Sequence, residues 1–248
     1  LSGGRKSGLL PPTIGSTGKS GFEYSQPFYW NIAPNLDATI TPRLMARRGV
    51  LLNGDFRYLE PDFNGEMRGE YLPDDRVAKE TRYAYSWRHK QIFGNGFSGA
   101  LDLEGVSDDT YFTDLSARIA ATSQTNLNRQ GILFYDAGWW NLNTRVQRFQ
   151  TLQDPLAPIV PPYARVPQIT LNMNRQTEAN LDFGMQGEYV QFSSSTQIDG
   201  RREILYPSIS APFRTSYLYV TPKVGYSTTK YEFDDPNVSS ASRNMPIY

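Results

Sequence analysis

His89 is the only histidine in this chain, so acid–base or nucleophilic catalysis would have to be built on it. In an extended strand it has the same parity as Tyr83, Tyr85 and Trp87. That spacing favours an aromatic stripe at a membrane interface over a catalytic cleft. We therefore predict that the chain is not an enzyme and has no catalytic residue.

Carboxylates and thiolates are the next residues that could do chemistry. Three acidic pairs lie beside Pro, Ser or Thr in predicted loops: Asp74-Asp75, Asp108-Asp109 and Asp234-Asp235. Turn formation and solvation explain such pairs better than acid–base work or calcium binding. No metal-ligand spacing is convincing, and the absence of cysteine excludes thiolate metal sites and disulfides within the chain. We predict no metal and no cofactor.

Basic residues also occur in short groups. Three basic pairs fall in predicted turns or linkers: Arg5-Lys6, Arg47-Arg48 and Arg201-Arg202. We interpret them as solvated, the alternative being that their guanidinium groups bind phosphate. Lys+Arg and Asp+Glu both total 25, so the net charge is zero and no basic field exists to attract nucleic acid. We predict no nucleic-acid partner.

The elements that position these residues are predicted to be strands. Apolar and polar residues alternate with a period of two in segments of about ten residues, separated by Gly, Pro, Asn and Asp. The pattern predicts about twelve antiparallel strands: 21–33, 35–46, 50–59, 63–71, 82–93, 97–106, 127–136, 139–150, 165–175, 180–192, 201–211 and 216–232. Long loops are predicted at 73–81, 107–126 and 151–164. Residues 1–20, rich in Gly and Ser, are predicted to be a linker or an irregular first strand.

The two faces of the predicted strands differ in chemistry. One face of the first strands is apolar and aromatic: Phe22, Phe28, Trp30, Leu36, Ile40 and Leu44. The other carries charges of both signs, such as Asp37, Arg43 and Arg57. Aromatic residues make up 13% of the chain although the mean hydropathy is −0.52, which suits a sheet between lipid and a water-filled lumen. We predict an all-β antiparallel meander forming a partial transmembrane β-barrel, the alternative being a soluble β-sandwich.

One segment is specific enough to point to a family. Residues 28–42 run from an aromatic pair through these residues: Trp30, Asn31, Ile32, Ala33, Pro34, Asn35 and Asp37. With residues 71–74, 106–114 and 165–168, this segment resembles the barrel domain of LptD, the lipopolysaccharide-assembly family. The resemblance assigns residues 21–248 to the N-terminal half of that barrel. We expect an internal fragment without the family's N-terminal jellyroll and C-terminal strands.

The resemblance also implies a function and partners. The family moves lipopolysaccharide into the outer leaflet of the Gram-negative outer membrane, in which its barrel is integral. Implied partners are lipopolysaccharide, outer-membrane lipid, the lipoprotein LptE as a plug in the lumen, and a periplasmic lipopolysaccharide bridge that docks on the jellyroll. The alternatives are a porin-like channel or barrel enzyme, and a soluble β-sandwich binding module.

Two prolines interrupt the best-patterned strands. Pro27 and Pro42 have no N–H to donate to a ladder, and in hydrocarbon no water replaces the missing bond. By themselves they fit a place at a bulge or rim of the sheet as well as they fit a functional role. The resemblance implies that they mark the first two strands of a lateral gate.

Overall fold

A computed structural model describes residues 5–115 and 125–248, which are nearly all β-strand. In chain order the described elements are β1 (Gly8–Leu9), β2 (Thr13–Thr17), β3 (Gly21–Ser25), β4 (Phe28–Ala33), β5 (Leu36–Met45), β6 (Gly49–Leu59), β7 (Phe63–Asp75), β8 (Glu80–Gly94), β9 (Phe97–Val106), α1 (Tyr111–Leu115), β10 (Asn126–Asp136), β11 (Trp140–Thr151), β12 (Ala164–Gln176), β13 (Asp182–Ser193), β14 (Gly200–Ser210), β15 (Phe213–Arg214), β16 (Tyr219–Val220), β17 (Lys223–Phe233) and β18 (Ala241–Ile247). No helix among these residues has the length and hydropathy needed to cross a membrane.

The strands follow a meander. Across the described ranges, sixteen of them form one antiparallel sheet in which β4 to β14, then β17 and β18, are neighbours in chain order. At its start β1 pairs with β4, β2 pairs with β3, and both β3 and β4 pair with β5. β15 and β16 form a separate two-stranded hairpin. The predicted all-β antiparallel meander is confirmed.

Differences from the sequence prediction fall where prolines or glycines lie. The segment predicted at 21–33 is divided at Pro27 into β3 and β4, and the segment at 216–232 is divided at Pro222 into β16 and β17. Residues 1–20 contain the two short strands β1 and β2. The loop predicted at 73–81 is shorter, because β7 extends to Asp75. Part of the loop predicted at 107–126 lies outside the described residues.

The predicted division of the first strands into two faces is confirmed. Phe28 lies opposite Ile40, and Trp30 lies opposite Ala38. The side chains of Phe28, Trp30 and Ile40 are exposed, whereas Asp37, of opposite parity, is buried. We call the first face the apolar face and the second the polar face.

The chain divides into two compact units. The first comprises Leu1–Ile92, Ala100–Arg129 and Phe149–Val160. Its buried core gathers around α1: Met45, Leu51, Leu72, Val106, Tyr111, Leu115, Leu127 and Leu152. Met45 has the parity of Arg43, so this core lies on the polar face of β5. The segment 107–115 therefore covers part of that face.

The second unit comprises Phe93–Gly99, Gln130–Arg148 and Pro161–Tyr248. On its polar face amide side chains align across neighbouring strands, because Asn141 lies opposite Asn172, and Asn172 lies opposite Gln186. Asn172 Nδ2 donates to Asn141 Oδ1 at 3.1 Å. Asn141 and Asn172 are thus bonded to each other across two neighbouring strands of this face.

Candidate functional site

The family-motif residues lie together in the β4–β5 hairpin. Asn31 lies opposite Asp37, and the register shifts between Asn31 and Ala33 as the chain enters the turn at Pro34 and Asn35. The turn contacts the next hairpin, since Leu59 N donates to Asn35 O at 2.9 Å. The motif thus encodes one hairpin end and its packing on β6.

Asp37 is the centre of a charged cluster at this end, which we call the Asp37 anchor. Asp37 is 6% exposed, and its carboxylate accepts two bonds from Arg57, from Nε at 2.8 Å and from Nη2 at 2.8 Å. Tyr29 Oη donates to it at 3.1 Å, and Arg5 Nη1 at 3.4 Å. A buried carboxylate with bidentate Arg pairing is compensated for its desolvation.

Asn31 fixes the N-terminal segment on the same hairpin. Its backbone N donates to Ser7 Oγ at 2.9 Å, and its Nδ2 donates to Arg5 O at 3.1 Å. Asn31 and Asp37 therefore hold residues 5–7 against β4. Two residues of the family motif, Asn31 and Asp37, therefore have a structural role: they bind the N-terminal segment.

Pro42 lies within β5, and Pro27 lies between β3 and β4, one residue away from the position opposite Pro42. Ser25 pairs with Arg43 and Phe28 with Ile40, so the unbroken register places Gln26 opposite Pro42. Both prolines accept a backbone bond: Leu10 N donates to Pro27 O at 2.9 Å, and Gln26 N donates to Pro42 O at 3.2 Å. Neither can return one, because proline has no N–H. We call the region formed by Pro27, Pro42 and the residues bonded to them, Leu10 and Gln26, the proline interruption.

A buried ionic cluster lies where β7 ends and β8 begins, and we call it the Arg82 cluster. Its members are Arg48, Asp75, Arg82, Asp108 and Asp114. Arg82 and Asp75 have fully buried side chains, 0% exposed, with Nη1 of Arg82 3.2 Å from Oδ2 of Asp75. Arg48 Nη1 donates to the same carboxylate at 2.6 Å, and Arg82 Nη2 donates to Asp108 Oδ1 at 2.6 Å.

The expected solvation was wrong for Arg48 and Asp75, whose side chains are buried. The expected turn formation is confirmed, since Val77 N donates to Asp75 Oδ1 at 2.9 Å and Thr110 N donates to Asp108 Oδ1 at 3.0 Å. Burial opposes ionisation of Asp108, but hydrogen bonds from Arg82, Ser107 and Thr110 outweigh it and hold the pKa of Asp108 below its ordinary value. No single residue in the sequence signals the cluster, since its members come from separate segments.

The Arg82 cluster fixes the segment 107–115 on the polar face. Tyr111 Oη donates to Glu70 Oε2 at 2.6 Å, and burial, followed by the charge of Glu70, raises the pKa of Tyr111. Arg43 Nη1 donates to Leu115 O at 2.8 Å, and Arg43 Nη2 donates to Glu23 Oε2 on β3 at 2.7 Å. The segment is thereby bonded to β5, the strand that carries Pro42.

His89 lies among aromatic rings, as its spacing predicts, and its position at a membrane interface stays a prediction. Its ring centroid is 5.7 Å from that of Tyr58, 6.1 Å from that of Phe63 and 5.9 Å from that of Trp87. Tyr58 Oη lies 2.7 Å from His89 Nδ1. In residues 5–115 and 125–248 no group of three or more His, Cys, Asp or Glu residues could hold a metal ion.

A polar concavity of about 350 Å³ opens on the second unit. Two small residues, Gly184 and Ser208, line this concavity. They are closely packed, because a Cβ added at Gly184 would lie only 2.8 Å from Ser208 Oγ. The surrounding side chains include Asn172, Gln186 and Tyr206. Amide and hydroxyl groups of this kind can hydrogen-bond to sugar hydroxyls.

A long antiparallel meander with one apolar and one polar face is the sheet of the outer-membrane β-barrel class. Within that class the sequence comparisons are specific. A sequence model of the family LptD, LPS transport system D, matches residues 80–248. Proteins named "LPS-assembly protein LptD" are similar over the whole chain or nearly so.

Three such relatives illustrate the match. That of Azoarcus sp. (strain BH72) is 46% identical over 100% of this chain and 32% of the relative. That of Aromatoleum aromaticum is 47% identical over 98% of this chain and 31% of the relative, and that of Nitrosomonas eutropha 42% identical over 98% and 35%. The chain therefore belongs to the LptD family, and it spans about a third of the length of these relatives.

Proposed function

We propose that this chain forms part of an integral outer-membrane β-barrel that moves lipopolysaccharide from the periplasm into the outer leaflet. Family membership and the name LPS-assembly protein carried by the relatives support this proposal. Transport requires no bond to be made or broken, in keeping with a site built of prolines, amides and paired charges rather than nucleophiles.

The two faces of the sheet fit the two halves of an amphipathic cargo. The apolar face would contact outer-membrane lipid, and the polar face, with its amide-lined concavity, would accompany the sugar. The family resemblance implies that LptE plugs the lumen and that a periplasmic bridge delivers lipopolysaccharide through the family's jellyroll.

We further propose that Pro27 and Pro42 belong to a lateral gate through which acyl chains leave the lumen. The observation that carries this proposal is their proximity: Pro42 lies in β5, and Pro27 lies between the two strands that pair with β5, at the start of the strand order. Each proline leaves one ladder bond unmade, so strands part more easily at this level than where every bond is formed.

The test is a double substitution, Pro27→Val with Pro42→Val, in the full-length protein. Restoring two donors should strengthen the pairing and slow the arrival of lipopolysaccharide at the cell surface without lowering the amount of assembled protein. Pro207→Val is the matched control, because Pro207 lies within β14 and pairs with Met185 away from the interruption. Unchanged export by the double variant at normal protein levels would exclude the gate.

A further inference from the structure

The proline interruption contains a ladder pair in which one bond is made and its return bond is impossible. In an antiparallel hydrogen-bonded pair each residue donates to, and accepts from, the other. Leu10 N donates to Pro27 O at 2.9 Å. The return bond would run from the N–H of residue 27 to Leu10 O, and proline has no such group.

A side chain occupies the place of that return bond. Gln26 Nε2 donates to Leu10 O at 2.8 Å and also lies 3.3 Å from Pro27 O. Its Oε1 accepts from Tyr24 Oη at 2.9 Å, which fixes the orientation of the carboxamide. The backbone N of Gln26 meanwhile donates to Pro42 O. Gln26 thus bonds to both neighbouring chain segments at the level of the two prolines.

We propose that Gln26 is the positioning residue that holds the proline interruption closed, an inference that rests on the proposed gate. A backbone bond at this place could be broken only by moving a strand. A side-chain bond is broken by rotation about χ angles, while both strands stay in place. If the exposed apolar face meets lipid as proposed, no water can bond to the Leu10 carbonyl there. The carboxamide then satisfies that carbonyl and can also release it.

The test is a double-mutant cycle with hydrogen exchange as the readout, on the full-length protein in lipid bilayers. Gln26→Leu removes the donor and should raise exchange at the Leu10 amide by about five- to tenfold, the ratio that corresponds to one modest hydrogen bond. In a Pro27→Val background the restored N–H serves Leu10 O, so the same substitution should change exchange by less than about twofold. Gln26→Glu, which keeps the shape and loses the donor, should behave as Gln26→Leu does.

Gln91→Leu is the matched control. Gln91 Nε2 also donates to a carbonyl, that of Ile92 at 3.2 Å, but within its own strand. It should leave exchange at Leu10 unchanged. Equal effects of Gln26→Leu with and without Pro27→Val, or no effect of Gln26→Leu alone, would overturn the proposal.

A cellular readout separates this inference from the gate itself. Gln26→Leu should raise entry of a large hydrophilic antibiotic several-fold, whereas Gln91→Leu should not. If exchange follows the predicted cycle and antibiotic entry stays at the wild-type rate, Gln26 pairs the strands but the gate proposal fails. If exchange does not follow the cycle, the role of Gln26 fails whatever the export measurements with the proline variants give.

Discussion

The proline interruption, beside β5, and the Arg82 cluster, where β7 ends and β8 begins, lie in one sheet and are held by opposite means. At the interruption, uncharged groups make the contacts, and one of them is a side-chain amide standing in for a backbone donor. At the Arg82 cluster, two fully buried charged side chains and their partners join β7 and β8 to the segment 107–115. We therefore expect the sheet to part more easily at the proline interruption than at the Arg82 cluster.

The charged contacts of β5 lie towards its two ends. The Asp37 anchor lies at one end of β5, and contacts from Arg43 to Glu23 and Leu115 lie towards the other. The interruption lies between them. Separation of the strands should therefore be confined to the middle, where no ion pair has to be broken.

We expect the largest effect on stability when the positive charge at the centre of the Arg82 cluster is removed. Arg82→Met leaves Asp75 buried and Asp108 without its main partner, and should destabilise the full-length protein by about 3–5 kcal/mol. Arg68→Met is the control, because Arg68 pairs with Asp55 while 54% exposed and should cost about 1 kcal/mol or less. Urea-induced unfolding in detergent measures both, and equal midpoints would show that burial adds nothing to this cluster.

A second test concerns the two faces on which the comparison depends. Ile40→Arg places a charge on the apolar face and should cost about 2–4 kcal/mol if that face meets hydrocarbon. Thr39→Arg, one residue away on the polar face and opposite Asp55, should cost far less. Refolding of the full-length protein into lipid vesicles gives both values. Similar costs would argue against a lipid-facing apolar side.

The finest test compares the two prolines with each other. Pro42→Val restores a donor towards Gln26 O and should add about 0.5–1.5 kcal/mol of stability. Pro27→Val should add less, since its new N–H competes with Gln26 Nε2 for Leu10 O. Both substitutions increase the conformational entropy of the unfolded chain to a similar extent. The difference between their effects on stability therefore reports on the hydrogen bonds. The measurement is again urea-induced unfolding, and a larger gain at Pro27 would contradict the account.

The strands could be predicted from the sequence because alternation is local. The spacing of Phe28, Trp30 and Ile40 alone predicts that they share an apolar face. In the structure they lie on the same face of the sheet. β1 and β2 show no such alternation; they pair through backbone groups, and β2 is exposed throughout. Their existence depends on the strand beside them, which is why residues 1–20 resembled a linker.

The polar contacts of the site could not be predicted, because they join distant positions. Asp75 and Asp108 look like turn residues until β8 places Arg82 between them. Gln26 looks like any polar strand residue until Leu10 lies opposite Pro27. Contacts between residues that are far apart in the chain produce no periodic pattern in the sequence.

The bonds from the hairpin to the segment 107–115 also set an order of folding. Lys19 Nζ donates to Thr113 O across 94 positions, and Arg43 Nη1 donates to Leu115 O across 72. Closing loops of this length has an entropic cost that is recovered only when the contacts form, so such contacts form late. We therefore expect the chain around Pro27 and Pro42 to acquire these partners only after β6 to β9 have formed, and the proline interruption to have fewer fixed contacts until then.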